Sequence, residues 1–144
     1  MNRDRIRGDR GSASLELAII APGLLAIILV LVFAGRVAMA HQALDSAAAD
    51  AVRAASIART RPAANGDASR AAANSLNNHL RCSTMNVRVN TGGFEAPVGT
   101  PATITANVSC SVDLSDLAVP GIGIPGHLDI SSSATSSLDT YRER

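Results

Sequence analysis

The apolar positions of this 144-residue chain follow three rhythms, each confined to its own stretch. From Leu17 to Gly35 (LAIIAPGLLAIILVLVFAG) nineteen residues pass without a charge. As a helix this run is about 28 Å long at about 1.5 Å per residue, close to the roughly 30 Å hydrocarbon core of a bilayer. A core helix of a soluble domain would keep a polar face, and this run has none. The pattern predicts a membrane helix.

From Arg36 the rhythm becomes helical. Val37, Ala40, Leu44, Ala47, Ala51, Ala55 and Ala58 recur at three- and four-residue steps, which predicts that the helix continues as an amphipathic neck. Within it Ala43, Ala47, Ala51 and Ala55 place a small residue at every fourth position, where another backbone can approach closely. That partner is either the sheet of the same domain or a second helix. Pro62 and Asn65-Gly66 are expected to stop the helix, and Asp67 to cap a shorter one running to Leu80.

Beyond Cys82 the period drops to two. Met85, Val87 and Val89 alternate with polar residues, as do Ala102, Ile104, Ala106, Val108, Cys110, Val112 and Leu114, and a third strand opens with Leu128, Ile130, Ala134 and Leu138. Half-buried antiparallel strands read this way. The stretch NTGGFEAPVGTP between the first two has turn composition. The fold class expected is α+β: one transmembrane helix, a helical neck, and a small antiparallel sheet of three or four strands covered by helix.

Composition narrows what such a chain does. Thirteen Arg against twelve Asp and Glu leave a formal charge of +1 with no cluster, so no basic field exists for nucleic acid. The aromatic residues are Phe33, Phe94 and Tyr141, too few for a base-stacking platform. Arg3, Arg5, Arg7 and Arg10 precede the apolar run and favour a cytoplasmic N-terminus. Everything after Arg36 is then exported, where a Cys82–Cys110 disulfide would persist. Closing a 29-residue loop stabilises a fold by about 3.5 kcal/mol on chain entropy.

Candidate chemistry is sparse. Gly121–Gly126 (GIGIPG) fits the spacing of a dinucleotide loop, but Pro125 and a strand-like HLDIS follow where a helix N-terminus is needed, so it reads as a loop. The triplet Asn107-Val108-Ser109 is a glycosylation sequon placed mid-strand and is assigned no role. His41, His79 and His127 show no metal-ligand spacing. No catalytic constellation is visible, and the expectation is a non-enzymatic protein without cofactor or metal.

Glu16 is the most informative polar residue. It abuts the apolar run, where an ionised carboxylate is costly unless paired or within reach of the headgroups. It is also the fifth residue after Gly11, the spacing of a prepilin signal in which a basic leader and a Gly precede a hydrophobic helix. RGSASLELAIIAPGLLAIILVLVFAGRVAMAHQALDSAAADAVRAAS resembles the N-terminal signature of TadE-like proteins of the tight-adherence (Flp-type) pilus system. The resemblance rests on Glu16, Pro22, Gly35-Arg36, Gln42-Ala43-Leu44, Ala47-Ala48 and Arg53-Ala54-Ala55, with Leu17 where Phe is frequent and Ala51-Val52-Arg53 in place of Gly-Ala-Arg.

That resemblance implies a minor pilin or pseudopilin, cut between Gly11 and Ser12 by a prepilin peptidase and working with other pilin subunits. The organisation expected is a cytoplasmic leader over 1–11, a transmembrane helix over 12–36 in the inner membrane, a neck over 37–60 and a disulfide-bonded domain over 61–144. The helix-packing residues expected are Pro22, Ala43, Ala47, Ala51 and Ala55. The competing reading is a secreted or membrane-anchored binding module cleaved after Ala40, since Ala38-Met39-Ala40 suits a signal peptidase. Against it, Arg36 separates run from site and the run exceeds a usual signal-peptide core.

Overall fold

The computed structural model describes residues 9–77, 79–115 and 126–141. The expected leader ahead of Asp9, and Gly121–Pro125 of the GIGIPG stretch, lie outside the described residues. Five main elements follow in order: helices α1 (Asp9–Ile57) and α2 (Arg61–Asn77), then strands β1 (Cys82–Asn90), β2 (Ala102–Asp113) and β3 (His127–Leu138). The chain is α+β, and it divides between Val37 and Ala38 into two compact units.

The unit up to Val37 is the first part of α1. Uncharged from Leu17 to Gly35, it contains only residues of high or ordinary helix propensity apart from Pro22, Gly23 and Gly35. Pro22 stands inside the helix. It has no N–H for the carbonyl four residues back, so one backbone bond of the ladder is missing there.

The unit from Ala38 onward is built on a three-stranded antiparallel meander, β1-β2-β3. Alternation assigns the inner face: Val87 pairs with Val108, Val89 with Ala106, Cys110 with Ile130, and Ala102 with Leu138. The core lies between this face and the helices. It comprises Ala40, Leu44, Ala47, Ala48, Ala51, Val52, Ala55 and Ala58 after the division, Ala64, Ala68, Ala72 and Leu76 from α2, and the strand residues. Ten of its eighteen buried members among the described residues are alanine, so the core is built largely from small side chains. The stretch expected as a separate neck is thus the principal helix of this unit.

The second helix starts earlier than expected. Thr60, not Asp67, caps it: Thr60 Oγ1 accepts the Ala63 N–H at 3.3 Å and the Thr60 carbonyl accepts the Ala64 N–H at 2.9 Å. Pro62 falls in the first turn, where its missing N–H costs nothing. Asn65-Gly66 lies inside the helix. The glycine costs about 1 kcal/mol there, and the buried row Ala64, Ala68, Ala72 and Leu76 outweighs it. Asp67 instead pairs with Arg70 one turn on.

Between β1 and β2 a short 3-10 turn, Gly92–Glu95, tucks the half-buried Phe94 against the core. Gly93 is required for this, because a Cβ there would lie 2.4 Å from the Thr103 carbonyl oxygen. Arg61 at the start of α2 reaches the turn with an ion pair of 2.5 Å to Glu95.

Two outcomes test this packing. Ala51 is fully buried, so Ala51→Leu should overpack the helix–sheet contact and lower stability by about 1–3 kcal/mol. Ala49→Leu, on the exposed side of the same helix, should leave the denaturation midpoint in place. Replacing Cys82 and Cys110 together by Ser should cost about 3.5 kcal/mol, and thiol labelling of the unreduced, denatured protein should find no free cysteine.

Candidate functional site

Helix α1 presents two contrasting surfaces along its length. In the unit up to Val37, Glu16 is exposed and leads directly into side chains with no cover: Leu17 is 67% exposed and Ile19 70%, and Leu24, Leu25, Ile27, Val30 and Leu31 are exposed as well. The helix from Glu16 to Ile57 contains a stretch long and apolar enough to cross a membrane, and no residue of that stretch is buried within the protein. So much contiguous apolar surface is unfavourable in water and marks a lipid or protein contact. Gly11 and Ser12 lie in the backbone of α1 five and four residues ahead of Glu16, and Pro22 is exposed six residues after it.

In the other unit the helix buries one face. Ala47, Ala51 and Ala55 are fully buried and Ala43 half-buried, with Asp45, Asp50 and Arg53 on the exposed side. Of the two partners open to this row from sequence, the structure shows the domain's own core. Gly11, Ser12, Glu16 and Pro22 therefore fall in one unit, and the alanine row and both cysteines in the other.

Cys82 and Cys110 are joined, with Sγ–Sγ 2.00 Å and Cα–Cα 5.4 Å. Parity puts Cys110 on the inner face of β2 and leaves Cys82 out of phase with Met85. The register resolves this with an irregularity between Cys82 and Thr84, which brings Cys82 opposite Val112.

Three features were not foreseen. Ser132 occupies an inward position on β3 and its hydroxyl donates to Asp45 Oδ1 of α1 at 2.5 Å, linking helix to sheet. The alternation already placed Ser132 inward among apolar neighbours, but nothing local names its partner. The outer face of the sheet is a field of small polar groups, with Thr105 and Thr135 hydroxyls 3.0 Å apart across β2 and β3. Where β2 ends, the Asp113 carboxylate accepts the Ser115 N–H at 2.8 Å. That bond and the Ser115 hydroxyl hold Asp113 below the usual carboxylate range, with nearby His127 acting in the same direction. It caps the turn that follows β2. Among the described residues no three His, Cys, Asp or Glu side chains gather as metal ligands would.

Neither the curated proteins nor the solved structures give a match. The segment holding Glu16, the apolar run and most of the alanine face, residues 11–53, matches the family model described as TadE-like protein, the family that these residues resemble.

Proposed function

We propose that this protein is a non-enzymatic, membrane-anchored, pilin-like component that assists biogenesis of a tight-adherence (Flp-type) pilus or a related secretion machine. The observation that carries the reading is the uncovered apolar surface of α1 beginning directly after Glu16, on the segment of the TadE-like match. An apolar helix in lipid gains nothing hydrophobic by meeting another, so its partners are chosen by shape and by polar contacts. Glu16 is the polar group available for that choice. Beside hydrocarbon its carboxylate needs a cation, and the amine freed at Ser12 by a prepilin peptidase, on the same or a neighbouring subunit, is a chemically apt one.

The arginines at 3, 5, 7 and 10 favour an N-terminus in the cytoplasm, which puts the helix in the inner membrane and the disulfide-bonded unit outside. The partners in this reading are the bilayer, the peptidase and other pilin subunits. Cleavage after Ala40 would divide α1 and leave the folded unit without Glu16 and the apolar run, so it stands apart from this reading.

Two experiments bear on it. The twelve Leu, Ile, Val and Phe residues of 17–35 contribute about −5 kcal/mol on insertion scales, whereas one central Arg costs about 3 kcal/mol. Leu25→Arg alone should stay membrane-bound, and Leu25→Arg with Ile28→Arg should move to the soluble fraction. In cells with a prepilin peptidase, N-terminal sequencing should begin at Ser12. Glu16→Ala should still insert and fold while piliation fails, and normal piliation in a strain carrying only that variant would refute the role.

A further inference from the structure

Two stretches of α1 are braced from outside, and a short one between them is not. From Ala40 the inner side of the helix is packed into the core. Up to Gly35 the uncharged run lies in hydrocarbon, in the membrane reading on which this inference rests, and there every backbone group must keep its partner, so the helical ladder stays closed. From Gly35 to Met39 no residue is buried, and the division between the two compact units falls inside this segment, between Val37 and Ala38. The apolar run also ends here, so water can take up the hydrogen bonds that an opened helix would lose.

Gly35 makes this gap consequential. Inside a helix glycine is less favourable than alanine, and a demand of space or of backbone conformation is the ordinary reason for one. Neither demand exists within the chain at Gly35: it is helical, its φ is not positive, and a Cβ there would stand in open space. Gly23 and Gly66 have equally open surroundings, but each lies where the helix is otherwise secured. Gly23 is well inside the uncharged run, and Gly66 is on a helix whose Ala64, Ala68, Ala72 and Leu76 are buried. At Gly35 a low helix propensity coincides with missing support, and the β-branched Val37 two residues on weakens the segment further.

We propose that residues 35–39 form a joint in α1, a segment that opens and recloses while the helix on either side stays formed. Opening there releases the N–H groups of residues 36–39 from the carbonyls of residues 32–35, all within one turn of the end of the run. The core and the rest of the membrane run are untouched, and the folded unit can turn on its anchor. A glycine kept instead for the close approach of a second helix would create no local weakness at these amides.

Hydrogen exchange on the full, oxidised chain in lipid nanodiscs tests this, comparing the unsubstituted protein with Gly35→Ala and Gly23→Ala after correction for intrinsic rates. Amides of 36–39 should exchange at least about tenfold faster than those of 18–33 and of 44–55, as a locally opening segment does. Gly35→Ala should slow them about fivefold, the ratio that corresponds to the difference between glycine and alanine in a helix interior, and Gly23→Ala should leave them unchanged. Protection of 36–39 equal to that of both flanks, unaltered rates in Gly35→Ala, or equal slowing in Gly23→Ala would overturn the joint while the membrane reading stands. Fast exchange over 18–33 is a separate failure, in which the membrane reading falls and takes the joint with it.

Discussion

The constraint on which the folded unit depends is the close approach of helix to sheet that alanine permits. A core in which ten of eighteen buried members are alanine buries little apolar area per residue, and the usual gain of about 25 cal/mol per Å² is correspondingly thin. What such residues permit is nearness, since a methyl group puts little between two backbones and dispersion contacts strengthen at short range. The rest of the unit follows from keeping that distance. Ser132 and Asp45 join β3 to α1 by a hydrogen bond, Gly93 admits the loop against Thr103, Arg61 holds the Glu95 turn, and Cys82–Cys110 restrains the unfolded chain that so small a core must compete against.

Helix α1 has the same backbone order over 49 residues but two kinds of side-chain environment. Up to Val37 its apolar groups are uncovered, and from Ala40 one face is fully buried. The change in residue size accompanies the change in task. Leu, Ile and Val fill the first part, where large branched side chains suit lipid, and alanine fills the second, where the sheet must come near. The apolar surface proposed for anchoring and the face that builds the core thus lie on different parts of one helix, and this separation underlies the functional reading.

Most of this was legible from period alone. An uninterrupted apolar run, then steps of three and four, then strict alternation gave the order of elements, because burial repeats with the geometry of the element that is buried. At Cys82, out of phase with Met85, parity left two outcomes, a place ahead of the strand or one beside a bulge, and the register gives the second, with Cys82 as the first residue of β1. What failed was punctuation. Pro62 and Asn65-Gly66 look like a stop, yet Pro in a first turn is a start, and the buried row from Ala64 to Leu76 carries the helix through the glycine. The choice between an internal and a shared alanine row depended on tertiary proximity, as did the Asp45–Ser132 bond across 87 positions, and local pattern does not encode either.

Hydrogen exchange on the full chain in lipid nanodiscs, with and without reduction of the disulfide, addresses the central claim that α1 serves two environments. Amides of 17–35 should be protected in both conditions, because hydrocarbon excludes water from them. Amides of 40–57 should be protected in the oxidised protein and lose protection on reduction, because a small alanine core holds them. Fast exchange over 17–35 in nanodiscs, or loss of protection over both segments together on reduction, would contradict that division.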